Sequence, residues 1–227
     1  MDAAPAENRV ERSGRPTYRK YWHALYRRDV ASAERVVDLA RKTWKPGRIY
    51  LRLFQPALAL SGKLWAAGAI TYHDEHFVTY HTQRLMRRVR HDWIPAETTG
   101  PLALATGAGQ ESHLIGLRMV CDFLRAANWR IEWLPSNDRT VLRRTVAAAR
   151  PDAFLLSIGL DHALGPARRM IEEVRDHRYR GLVVVGGAAV NADPASRVKA
   201  LGADLTAHNG RHLVRLLRTH ARPRGPR

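Results

Sequence analysis

From Arg15 to His91 the apolar positions recur at helical spacing. Val30, Ala33, Val36, Val37 and Ala40 repeat at three and four residues and form one stripe. Lys45-Pro46-Gly47 interrupts the pattern, and Pro46 suits the first turn of a new helix. A second run, Ile49, Leu53, Phe54, Ala57, Leu58 and Leu60, continues through Trp65 until Gly68. Thr71 with Asp74 three residues later reads as a capping box, and the helix it opens is expected to turn Phe77, Tyr80 and Leu85 inward. With the aromatic segment Tyr18 to Tyr26 this makes four helices over residues 15–91, enough for a small bundle.

Residues 92–100, with Pro95 and Gly100, read as a connection, after which the rhythm changes. Strands are expected at Leu102–Thr106, Arg130–Leu134, Ala153–Ser157, Leu182–Val185 and Asp204–Ala207. Helices fit the intervals 114–127, 138–149, 165–177 and 193–201, with a last one at 211–220. Regular alternation with continuously apolar strands predicts an α/β domain over 101–220, a flavodoxin-like doubly wound sheet of five parallel strands behind the all-α part. Ligands of such sheets sit beyond the carboxyl ends of the strands. The polar residues 1–14 and the basic tail 221–227 read as lacking order.

Composition narrows the class. At 227 residues, with 45% apolar and 26% charged positions, the chain can build a core and is too apolar for disorder. Its one cysteine, Cys121, expected on the buried face of the helix after Gly116, excludes an internal disulfide and a cysteine zinc site, and suits a reducing cytoplasm. The first residues lack a signal-peptide pattern, and no apolar run approaches a membrane span. The formal charge of +17 raises nucleic-acid binding as one reading. The basic residues are dispersed and mostly arginine, however, with only Lys20, Lys42, Lys45, Lys63 and Lys199 as lysines, and no DNA- or RNA-reading motif accompanies them. Solvated arginine-rich faces are the plainer account.

The loop after the first strand carries the chemistry. Gly107-x-Gly109 matches half of a dinucleotide fingerprint, but Ser112 stands where the third glycine belongs, which rejects that reading. The same loop contains Glu111-Ser112-His113-Leu114-Ile115-Gly116. Forty residues further comes Ser157-Ile158-Gly159, and 26 residues beyond that Gly186-Gly187. This order resembles the cobalamin-binding domain shared by methionine synthase, corrinoid proteins and cobalamin photoreceptors, whose pattern is Asp-x-His-x-x-Gly, Ser-x-Leu and Gly-Gly. The resemblance implies that His113 is the lower axial ligand of cobalt and that residues 111–116 line the cofactor. It also implies that the displaced base of the cobalamin tail passes near Ser157, Gly159, Gly186 and Gly187. A neutral imidazole suits cobalt, and a neighbouring carboxylate can fix its tautomer. Two positions depart from the family: Glu111 replaces the usual Asp, and its longer arm works against the carboxylate–imidazole hydrogen bond; Gly159 replaces Leu.

In the helical part, Trp65 followed after nine residues by Glu75-His76 resembles the signature of the light-sensing cobalamin proteins. There the bundle covers the upper ligand, and the resemblance implies that Trp65 shields an adenosyl group while Glu75 and His76 bond it. Ala66 stands where the photoreceptors that bind DNA carry a histidine after that Trp, so an upper histidine ligand would have to come from elsewhere, as from His73. A photocobilin subgroup also holds a bilin, and the arginines here could neutralise biliverdin propionates. The implied function is a stand-alone adenosylcobalamin photoreceptor rather than an enzyme, signalling through bundle movement to a dimer, a tetramer or a transcription-regulator partner, without reading DNA itself. The alternative is a corrinoid protein that shuttles methyl groups for a methyltransferase.

Overall fold

The helical spacing of the first part produces α1 (Tyr18–Tyr26), α2 (Val30–Thr43), α3 (Pro46–Ile49), α4 (Gln55–Ala66) and α5 (Tyr72–His91). A π-helical turn at Tyr50–Phe54 joins α3 to α4, so the apolar run from Pro46 to Ala66 forms one helical stretch with a widened turn in its middle. The computed structural model describes residues 17–111, 113–135 and 137–220; the segments expected to lack order and Ser112 lie outside them. It divides into two units, Met1–Trp93 and Ile94–Arg227.

In the first unit, Leu25, Val37, Leu53, Phe54 and Val78 are fully buried. Two buried polar contacts fix how α1 meets its neighbours. Trp22 Nε1 donates to Ser61 Oγ on α4 at 2.7 Å. Thr82 Oγ1 donates to the Val78 carbonyl, which leaves Tyr21 OH to donate to Thr82 Oγ1 at 2.9 Å. Each bond contributes about 1 kcal/mol net, but an orphaned partner in that core would cost about 1–3 kcal/mol. Burial pushes the Tyr21 phenol well above its usual range, and the Thr82 bond only partly offsets it.

The capping box at Thr71 and Asp74 forms as expected, with Thr71 Oγ1 accepting from the Asp74 amide and Asp74 accepting from the Thr71 amide. The inward face of α5 differs in part from the expectation. Val78, His81, Thr82, Leu85, Met86 and Val89 are buried, Phe77 is half-buried, and Tyr80 is 58% exposed. Tyr80 sits two residues from both Val78 and Thr82, about 200° around the helix from each, so the stripe that packs Val78 must turn Tyr80 outward.

His81 has a measurable consequence. Burial lowers its pKa, Arg84 and Arg28 lower it further, and Glu34 acts weakly in the opposite sense. A histidine with a lowered folded pKa takes up its proton more readily once unfolded, so its contribution to stability is complete above about pH 6.5 and declines as pH falls below that value. Thermal unfolding followed between pH 7.5 and 5 is expected to show this decline, and His81→Gln to flatten it. An unchanged slope would contradict the assignment.

In the second unit the alternation gives β1 (Leu102–Gly107), α6 (Ile115–Ala126), β2 (Arg130–Trp133), α7 (Arg139–Ala149) and β3 (Ala153–Ser157). There follow α8 (Leu164–Asp176), β4 (Leu182–Gly186), α9 (Ala188–Asn191), α10 (Pro194–Leu201), β5 (Leu205–Thr206) and α11 (Gly210–His220). All strand pairs are parallel and the order is β2-β1-β3-β4-β5. Side-chain alternation along the strands builds two cores. Leu104, Phe154, Leu156, Val183 and Val185 pack with Leu142, Ile171 and Val174 on one face. Ala103, Ala105, Leu155 and Val184 pack with Leu117, Cys121, Leu124 and Leu213 on the other. This is the flavodoxin-like doubly wound arrangement, with its topological switch point between β1 and β3.

The connection is shorter than the pattern suggests. Trp93 stacks edge-on against Tyr50 at 5.2 Å in the first unit, whereas Thr99 and Gly100 already donate to the Asn128 side chain and carbonyl in the second. Short α9, right after Gly187, was not expected from the sequence.

Candidate functional site at the carboxyl edge of the sheet

Register brings the motif's pieces into one row. Gly107 pairs with Ser157, and Ser157 pairs with Gly186. The last residues of β1, β3 and β4 therefore lie side by side at the carboxyl edge, and the loops beyond them continue the ladder. The Ala108 amide donates to the Ser157 carbonyl at 2.9 Å and the Ile158 amide to the Gly186 carbonyl at 2.7 Å.

Beyond β1 the chain turns back on itself. Gly109 has φ +60°, and the Glu111 amide donates to the Ala108 carbonyl. Asn137, after β2, ties this loop down: its Nδ2 donates to the carbonyls of Gly107 and Gly109, while its Oδ1 accepts from Thr106 Oγ1 at 2.9 Å. A side chain at Gly107 would stand 2.9 Å from the Glu111 Cβ, so that glycine lets Glu111 fold against the strand end.

Glu111 and His113 form the centre of the loop. The Glu111 side chain is 2% exposed and that of His113 48%. Glu111 Oε1 accepts from the His113 amide and from His113 Nδ1, both at 2.8 Å, and Oε2 accepts from the Gly159 amide at 2.6 Å. Burial alone would raise the Glu111 pKa, but these hydrogen-bond donors outweigh it and hold the carboxyl below the usual range. A carboxylate only accepts, so the imidazole proton sits on Nδ1 and the lone pair of Nε2 remains for a ligand. The longer arm of Glu111 thus makes the hydrogen bond that the motif departure worked against. Leu114 and Ile115 are half-buried beside this pair, and Gly116 is exposed.

Around the row, Ser157 is buried and Gly186 and Gly187 are half-buried. Gly187 has φ +110°, and a Cβ there would lie 2.7 Å from the Ile158 carbonyl carbon, so the protein's own packing requires this glycine. Gly116 and Gly186 differ: a Cβ at either meets nothing within 4 Å. Thr206 Oγ1, on β5 opposite Val185, is buried without a hydrogen-bond partner among the described residues. A separate cleft of about 380 Å³, lined by Gly109, Asn137, Arg139, Pro166, Met170 and Glu173, contains neither His113 nor the paired glycines.

In the first unit, Trp65 occupies the last turn of α4 and is 42% exposed, followed by exposed Ala66 and Ala67. Glu75 and His76 lie in the first turns of α5, so the unit brings all three to one end of the bundle. Glu75 accepts from Thr79 Oγ1 at 2.7 Å and pairs with His76 Nδ1 at 3.0 Å, while the His76 ring lies 3.7 Å from that of Tyr72. His73 is exposed nearby. Asn137 and Thr206 escaped the sequence reading. The first is one polar residue in an ordinary loop, and the second becomes notable only through its missing partner.

A family model described as B12 binding domain matches residues 101–218, and a second model of the same description matches residues 17–90. A search of curated proteins finds no significant match. Among solved structures, the Methanosarcina barkeri monomethylamine corrinoid protein superposes with TM-score 0.75 at 18% identity, covering 89% of this chain and 97% of that one. A cobalamin-binding protein from Desulfitobacterium hafniense DCB-2 gives TM-score 0.48 at 19% identity, covering 90% of this chain and 98% of that one. The methanol:cobalamin methyltransferase complex MtaBC from Methanosarcina barkeri gives 0.48 at 12%, covering 97% and 86%.

The second unit fits the group such domains hold. Among the described residues, no three His, Cys, Asp or Glu side chains gather to bind a bare metal ion. His113 instead offers a single nitrogen donor, as suits a metal whose other ligands come from a macrocycle. The open positions at Gly116 and Gly186, with the unpartnered Thr206 hydroxyl, leave room and an unused polar group at the edge where a tail would run. The chain belongs to the B12 binding domain family and is a cobalamin-binding protein.

Proposed function

We propose that this chain is a corrinoid carrier that holds cobalamin with His113 as the lower ligand of cobalt and presents the substituent on the opposite face to a partner methyltransferase. The observation that carries the reading is the buried Glu111 carboxylate bonded to Nδ1 of a half-exposed imidazole at the switch point of the sheet. The fold shared with a monomethylamine corrinoid protein over 97% of that chain supports it. When bound, the corrinoid supplies the alkyl–cobalt chemistry. The protein's part is to orient the imidazole, keep its proton on Nδ1 through Glu111, and keep Nε2 available for the metal. Gly116, Ser157, Gly186, Gly187 and Thr206 would border the cofactor's lower side.

A second reading, a photoreceptor loaded with adenosylcobalamin, is favoured by one observation. An exposed Trp65 shares its end of the bundle with the Glu75–His76 pair. No observation on these residues points to a bilin. Because alkylcobalamins are themselves photolabile, bleaching alone does not separate the readings, but the protein's response does. With adenosylcobalamin loaded in the dark, the carrier reading expects the same elution volume in size-exclusion chromatography before and after green light. It also expects a methylcobalamin-loaded sample to give up its methyl group to an acceptor only when a methyltransferase is added. A light-dependent change of association state that disappears in Trp65→Ala would overturn the carrier reading in favour of the sensor.

A further inference from the structure

Glu111 and Gly159 face each other across the crevice between β1 and β3. Glu111 leaves the loop after β1, and the amide that meets its Oε2, at 2.6 Å, belongs to the second residue beyond β3. The other oxygen, Oε1, is shared by the His113 amide and ring. A Cβ built at Gly159 would stand 3.0 Å from the Glu111 carboxyl carbon, 3.2 Å from Oε1, and closer still to Oε2. Ordinarily a flexible carboxylate would swing aside. Here three donors hold it, and its side chain is 2% exposed, so it has no free direction to move.

We infer that Gly159 is a positioning residue matched to Glu111: the missing side chain at 159 makes the room that the longer acid occupies, and the bare amide there holds the carboxylate that orients His113. The two positions at which the loop motif departs from its family pattern are then a single coupled change. One additional methylene carries the carboxylate across the crevice into the volume a leucine would fill. The coupling also ties the imidazole's orientation to β3 rather than to its own loop alone. A carboxylate anchored at one end only could rotate about its terminal torsion, which is soft. Anchored on both oxygens, it presents Oε1 to Nδ1 in one orientation.

The inference rests on the reading of His113 as the ligand, but its test begins in the cofactor-free protein. The variants are Gly159→Leu, Glu111→Asp and the double change, in the full chain. The first readout is the His113 side-chain nitrogen spectrum by NMR at a single pH of 8, which reports the tautomer and whether Nδ1–H is hydrogen-bonded. The second is cobalamin affinity by absorption titration. The parent is expected to show a hydrogen-bonded Nδ1–H form. Each single change is expected to erode that signature and weaken affinity by about 10- to 100-fold, the usual loss when a group supporting a metal ligand is removed. The double change is expected to recover both toward the parent, because aspartate vacates the space that leucine takes.

If Gly159→Leu fails to fold by circular dichroism, Gly159→Ala, alone and with Glu111→Asp, makes the same comparison with the smallest side chain. A Gly159 variant that keeps the parent tautomer and affinity, or a double variant no better than the worse single one, overturns the coupling. Should the parent bind no cobalamin at all, the carrier reading fails, while the tautomer comparison still decides the Glu111–Gly159 pairing.

Discussion

His113→Ala is expected to fold like the parent and to lose its lower ligation of cobalt. The side chain is half-exposed in a loop and belongs to neither hydrophobic cluster, so removing it takes nothing from them. Two of the three donors to the Glu111 carboxylate, the amides of residues 113 and 159, remain, so the lost ring bond should cost about 1.5–3 kcal/mol and leave the fold in place. The effect on cobalamin is of another kind. Loss of the donor atom itself should exceed the about 10- to 100-fold cost of losing a group that merely supports a ligand. It should also remove the absorption signature of imidazole ligation. Because the substitution opens a space of imidazole size beside Glu111, free imidazole in the buffer is expected to restore that signature in part. Parent-like affinity and spectrum in His113→Ala would remove this residue from the cobalt site.

The second large effect concerns Gly187, and it appears without any cofactor. At φ +110° and ψ 173° the backbone occupies a region that residues with a Cβ rarely adopt. The Ile158 peptide that a Cβ would strike is itself fixed, with its amide on the Gly186 carbonyl and its carbonyl accepting from Ala189. Gly187→Val therefore combines backbone strain with displacement of the β3–β4 junction and should cost at least about 3 kcal/mol. For a chain of this size that lowers Tm by roughly 6–12 °C. Gly186→Ala, one residue earlier, meets nothing within 4 Å and is expected to melt with the parent. Equal losses at the two positions would mean that the paired glycines serve packing alike, and that the open space beside Gly186 has no meaning of its own.

Much of this arrangement was legible in the chain because it rests on local rules. The capping box at Thr71 and Asp74, the three continuously apolar strands β1, β3 and β4, and the turn glycines mark their own positions, and parallel order follows from the alternation. The order of the pieces at 111–116, 157–159 and 186–187 becomes a site through register, since equal strand ends place Gly107, Ser157 and Gly186 in one row.

Other features depend on contacts between distant residues. Tyr80 looks apolar enough to face inward, and only the phase set by Val78, Thr82 and Leu85 turns it out. The π turn at Tyr50–Phe54 shifts the helical phase without any residue that announces it. Asn137 matters because two loop carbonyls come within its reach, and Glu111 compensates for its extra length through an amide 48 residues away. Some of the dispersed arginines are paired with acids near the surface. Arg28 pairs with Asp74, Arg41 with Asp92, Arg88 with Asp38 and Arg175 with Asp204, each partly exposed and so of small energetic weight.

The central claim, that a protein imidazole replaces the cofactor's own base beneath the metal, has a direct test. The chain is prepared with histidine uniformly labelled with ¹⁵N, loaded with unlabelled cobalamin, and reduced to the cobalt(II) state for electron paramagnetic resonance. If His113 is the lower ligand, each cobalt line splits into a doublet, from one ¹⁵N nucleus, and the unlabelled protein gives triplets. If triplets persist in the labelled protein, the nitrogen beneath cobalt belongs to the cofactor's own tail, and His113 is not the ligand.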